Sequence, residues 1–129
     1  MNYYYNKTLH NISFDAVIDL VIEALKAEGF GVLTDIDVKA TFKKKLDVDF
    51  RNYRILGACN PNFAHKAIEA ENKIGVFLPC NVVVQELSND TIEVAAVDPV
   101  ASMSAVENES LGSIAEAVRN SLKKVVEEL

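Results

Sequence analysis

Tyr53-Arg54-Ile55-Leu56-Gly57-Ala58-Cys59-Asn60-Pro61 and Leu78-Pro79-Cys80-Asn81-Val82-Val83-Val84 are the two runs whose reading decides the fold. Both are apolar and β-branched enough to read as strands. Asn60-Pro61 ends the first run with a helix start, an N-cap followed by proline at the first helical position. Phe63, Ala64, Ala67 and Ile68 then draw the inner stripe of a helix reaching about Glu71. The second run reads as one long β-segment from Ile74 to Leu87, interrupted at Pro79, which has no N–H to give to a ladder. Ser88-Asn89-Asp90 is turn chemistry, so Thr91 to Val97 returns as a hairpin partner.

Working outward, Tyr3 to Thr8 is rich in aromatic and β-branched residues and reads as a first strand. Ser13 caps a helix whose Phe14, Val17, Ile18, Val21, Ile22 and Leu25 recur at steps of three and four. Gly29 stops it, because glycine enters the left-handed conformation without a Cβ penalty. Phe30 to Ile36 reads as a second strand, and Asp37 caps a short helix to about Leu46. Lys43, Lys44 and Lys45 lie at its C-terminal end, where the helix dipole favours cations. Asp98-Pro99 ends the hairpin, with one helical turn expected around Met103. A last helix then carries Leu111, Ile114, Ala115, Val118, Leu122, Val125, Val126 and Leu129 on one stripe.

These elements predict a single domain over residues 1–129, of α+β class. The expected architecture is a two-layer sandwich with helices on one face of a mixed β-sheet. The hairpin alone forbids a purely parallel sheet. In Val76, Leu78, Cys80, Val82 and Val84 one strand face is almost wholly apolar, yet Phe77, Val83 and Leu87 put apolar atoms on the other. A sheet apolar on both sides, with helices enough for one, predicts a homodimer.

Charge and length narrow the function classes. A formal net charge of −6 disfavours nucleic acid and anionic membranes as partners. No run approaches the roughly 20 apolar residues that span a bilayer, and the start lacks the pattern of a signal peptide. A cytoplasmic location is therefore expected, with Cys59 and Cys80 as free thiols.

The unusual side chains cluster around the two Cys-Asn pairs. Cys59, His65 and Cys80 are zinc-ligand types, with Asp98 or Glu69 as a fourth donor, but no Cys-x-x-Cys spacing accompanies them. No metal site and no cofactor are therefore expected. Cys59 stands at a strand end before a helix N-terminus, which favours a thiolate and opens a redox or nucleophilic reading. Alternation along the strands sends each cysteine and its asparagine to opposite sides. Asn60 and Asn81 are then amides for a polar pocket that Asp98 joins, or turn and cap residues only. Arg54 is a carboxylate receiver, or the surface partner of Asp47 or Asp49.

At these residues the chain resembles the bacterial and archaeal domain-of-unknown-function family three hundred and two. The similarity is carried by residues 35–46 and 53–61, by Leu78-Pro79-Cys80-Asn81-Val82 and by Val97-Asp98-Pro99. It implies a small α+β domain, often a homodimer, with no established activity and no catalytic residues to carry over. It marks Lys39, Arg54, Cys59, Asn60, Cys80, Asn81 and Asp98 as motif positions. Asn52 and Asn62 depart from it where prolines are expected, which bears on loop stiffness. The leading expectation is a homodimeric module that binds a small molecule or metal. Its pocket would be lined by Asn60, Asn81, Asp98, Arg54 and Lys39. The alternative is a cysteine-dependent enzyme or redox protein using Cys59.

Overall fold

A computed structural model describes residues 2–129. Five strands, β1 (Tyr4–His10), β2 (Gly31–Asp37), β3 (Tyr53–Cys59), β4 (Cys80–Ser88) and β5 (Thr91–Val97), form one sheet in the order β1-β5-β4-β3-β2. The helices are α1 (Phe14–Ala27), α2 (Val38–Leu46), α3 (Pro61–Ala70), α4 (Pro99–Ser102) and α5 (Glu109–Glu127). The α+β architecture is as expected, and the mixed sheet narrows to one that is antiparallel at every pairing. Helical connections separate β2 from β3 and β3 from β4, yet they return the chain antiparallel rather than as parallel crossovers.

The register sorts side chains into two faces. On the inner face Leu56 lies opposite Val82 and Val82 opposite Ala96, all fully buried. Val17, Val21 and Leu25 of α1 and Leu122 and Val125 of α5 close over them, and among the described residues no charged or polar side chain is buried. The start of α5 belongs to a second, smaller cluster, in which Leu111 meets Ala67 of α3 and Ile74. One long helix thus seals two adjoining cores.

Local chemistry holds each element in place. Ser13 Oγ accepts the Ala16 N–H at 3.2 Å. At the other end of α1, Phe30 N–H donates to the Leu25 carbonyl and Gly29 N–H to that of Lys26, with Gly29 at φ +85°. This is the paired-bond termination that needs a left-handed residue. Lys7 faces inward from edge strand β1. Its Nζ donates to the carbonyls of Glu127, at 3.2 Å, and Leu129. A lysine there complements the negative end of α5.

The expected long β-segment from Ile74 is corrected. Ile74–Phe77 is a 3-10 turn, and β4 begins only at Cys80. Val76 and Leu78 donate their N–H groups to Lys73 and Gly75 instead of to a neighbouring strand. Burial of Ile74 in the second cluster anchors the turn, which leaves Val76 81% exposed. Pro79 then packs over Gly57, where a methyl would lie 2.7 Å from Pro79 Cγ and run into Thr34 Oγ1.

The packing sets two expected outcomes for chemical denaturation. Leu25→Ala and Leu122→Ala should each cost about 2–5 kcal/mol, whereas Leu20→Ala, at a 45% exposed position on α1, should stay within about 0.5 kcal/mol. Gly57→Ala should cost about 1–3 kcal/mol by overpacking; an unchanged midpoint would mean that Pro79 and Thr34 give way freely.

Candidate functional site

Both cysteines reach one cleft at the end of the sheet. Cys80 opens β4, buried on the inner face opposite Ala58, and Cys59 closes β3 half-buried. Helices α3, α4 and α5 wall the cleft with Phe63, Ala64, Met103, Ile114 and Val118. It lies at the seam between the two cores and encloses about 40 Å³. Small alanines at 58, 64, 67 and 115 leave this space unfilled. Its walls are otherwise apolar, with Asn60 as the polar exception.

Burial pushes the Cys80 thiol from the ordinary value of 9.0 up to about 11, and the neighbouring Cys59 charge adds to the rise. The thiol is neutral at physiological pH and is not an activated nucleophile. Its folded value lies above its unfolded one, so its stabilising contribution is complete below pH 9 and is lost as pH rises toward 11. The loss amounts to about 2–3 kcal/mol by pH 11.

The other expected site residues do not share a pocket. Asn60 caps α3, its Oδ1 accepting N–H groups of Asn62 at 3.2 Å and Phe63 at 3.4 Å. Asp98 caps α4 through Val100 N–H at 2.9 Å. Asp98 lines a separate hollow with Tyr5 and Lys123. Asn81 lies opposite Gly57, exposed on the outer face. The expected convergence of Asn60, Asn81 and Asp98 is therefore corrected. Cys80 registers with Ala58 rather than with Cys59, so the two Cys-Asn pairs are offset by one residue. Alternation from inward Ala58 and Cys80 turns Cys59 and Asn81 toward the outer face, while Asn60, past the strand end, is spent on a cap.

Arg54 is held by Asp35, through Nε to Oδ1 at 2.8 Å and a second bond to Oδ2, instead of by Asp47 or Asp49. The hydrogen bonds to Asp35 raise its pKa further, against partial burial. Lys39 is exposed on the first turn of α2. His65 is exposed on α3 with Glu69 Oε1 at 3.7 Å, and it does not line the cysteine cleft. Among the described residues no group of three or more His, Cys, Asp and Glu can hold a metal.

The outer face holds what the sequence reading missed. A polar belt crosses it: Arg51 Nε donates to Gln85 Oε1 at 2.9 Å, and Gln85 Nε2 to Glu93 Oε1 at 3.0 Å. Asn6 Nδ2 completes it on Glu93 Oε2 at 3.1 Å. Beside it lies an open groove of about 380 Å³, floored by Val83, Ala95 and Val97 between Tyr4 and Tyr53. The signal was present in alternation, since Gln85, Glu93 and Asn6 occupy outward positions on three adjacent strands.

A model of the family described as "Domain of unknown function DUF302" matches residues 5–129. The chain belongs to the DUF302 family. The crystal structure of an uncharacterised conserved DUF302 protein from Bacillus stearothermophilus superposes with a TM-score of 0.89, at 27% identity over 98% of each chain. No curated protein matches the chain. The fold of this DUF302 domain is thus shared across its length with a relative of distant sequence.

For this DUF302 chain, pH-dependent unfolding tests the thiol. Stability should fall between pH 9 and 11, and Cys80→Ala should flatten that part of the profile. An identical slope in the variant would assign the loss to other groups.

Proposed function

We propose that this chain is a homodimeric binding module whose two copies meet through their outer sheet faces. The supporting observation is the row Ile36, Ile55, Val83 and Ala95, which runs across four strands on the face opposite α1 and α5. Ile36 is 48% exposed there, and the belt beside the row balances Arg51 against Glu93. A chain of net charge −6 meets least self-repulsion where its surface is neutral. Five strands of about seven residues present roughly 600 Å² per copy, near the low end for a specific interface. Two such faces stacked about 10 Å apart would make a β-sandwich flanked by helices.

Binding is favoured over catalysis by the state of the thiols. Cys80 is neutral, and the first N–H groups of α3 that could activate Cys59 are already taken by Asn60. His65, the nearest base in sequence, serves the surface of α3. Two unpaired cysteines also fit a reducing compartment.

Sedimentation equilibrium at micromolar concentration should give twice the 14.2 kDa chain mass. Ile36→Lys and Val83→Lys should each return the monomer with an unchanged circular dichroism spectrum. A monomeric wild type would overturn the proposal, and a dimer indifferent to both substitutions would move the contact to a sheet edge.

A further inference from the structure

We infer that the cleft at the seam of the two cores is a binding site for a small apolar molecule of two or three heavy atoms, dioxygen or a short hydrocarbon in class. The inference gives the binding reading a ligand class and rests on the cleft alone, not on the assembly. Size comes first. Small-molecule pockets run to several hundred Å³, whereas this cleft encloses about 40 Å³. That volume holds roughly three water-sized spheres, so sugars, nucleotides and amino acids are too large for it.

The lining decides between water and an apolar guest. Ala58, Ala64, Ala67, Leu111, Ala115 and Val118 turn carbon toward the space. Cys80 adds a small wall that behaves as a hydrophobe. Asn60 has both ends of its amide engaged elsewhere. Its Oδ1 accepts the N–H groups of Asn62 and Phe63, and its Nδ2 lies 3.0 Å from where a methyl on Gly29 would stand. A buried water needs two to four polar partners, and the described lining is almost wholly apolar. An apolar molecule of the same volume asks for no hydrogen bond and gains dispersion contacts with these walls.

The walls are held from outside, which keeps the space open. Helix α3 supplies Phe63, Ala64 and Ala67, and it is tied at both ends. Asn60 caps its first turn, and Asn108 Nδ2 donates to the Ala70 carbonyl at 2.8 Å. Asn108 also caps α5, accepting the Ser110 N–H at 3.0 Å, so one residue sets the spacing of the two helices. Among the other walls, Pro99 is buried at the start of α4 and Pro79 packs over Gly57. A site fixed before its ligand arrives loses little freedom on binding.

Xenon is the first probe, since it is apolar and occupies cavities of this kind. Under pressure it should shift the methyl resonances of Ala64, Ala67, Leu111 and Ala115 in the full chain, and the shifts should level off at one site. Val17 and Ile92, in the main core, should stay unmoved. Dioxygen, which is paramagnetic, should broaden the cleft methyls. A matching shift with propane would extend the class to hydrocarbons, and a response to dioxygen alone would assign a diatomic guest. Ala64→Leu should abolish the xenon shifts by filling the space, with circular dichroism confirming the fold. Where that variant does not fold, the levelling of the wild-type shifts decides. Ile36→Lys should respond as the wild type does whether or not the wild type is a dimer, which separates this inference from the assembly. Cleft methyls that stay still, shifts that rise without levelling, or shifts that survive Ala64→Leu in a folded protein would overturn it. Methanol, whose hydroxyl finds no partner inside, should leave these methyls unmoved; occupancy equal to that of xenon would overturn the ligand class.

Discussion

Everything in this domain depends on the inward row Leu56, Val82 and Ala96 and the fully buried Val84 and Val94 beside it. Strand alternation has a period of two, so committing these residues to the helices commits every neighbour to the opposite face. A slip of one residue would put Val83, Gln85 and Glu93 under α1 and α5. The apolar inner rows make that slip costly, because it would bury a carboxylate and expose valines. The polar belt and the groove beside it are thus consequences of the core.

The same row explains where the reactive groups lie. Cys80 is inward because Val82 and Val84 are, and Asn81 is outward for the same reason. Cys59 ends its strand as the chain turns into α3 and borders the cleft at the sheet's end. The cleft exists because α5 seals two clusters and the seam between them is walled partly by alanines. Larger side chains there would close it at little cost in surface pattern. Cys80 therefore occupies a place that packing has left slightly open.

The two faces suggest a division of labour. The inner face combines stability with a small, largely apolar cleft at one end. The outer face carries a neutral apolar row, two tyrosines and a hydrogen-bonded belt whose Arg51 and Glu93 carry opposite charges. A face of that composition, opposite α1 and α5, is suited to another protein surface. The acidic remainder of the chain keeps other approaches unfavourable.

Much of this was legible in local sequence. Ser13, Gly29, Asp37, Asn60, Asp98 and the Asn89-Asp90 turn act through bonds to residues within five positions, so the helix ends and the hairpin could be read directly. The stripes of α1 and α5 declare themselves through a 3.6-residue period. Other features were decided only in three dimensions. Ile74–Phe77 has the composition of a strand, but Ile74 found a partner in Leu111 and the segment folded as a turn. The antiparallel order followed from which strands met, and composition does not encode that. The offset between the two Cys-Asn pairs is a property of β3–β4 register, which puts Ala58 rather than Cys59 beside Cys80. Bonds between neighbours in the chain are written locally; the meeting of Cys80 with Ala58 required the whole inner face to choose its packing.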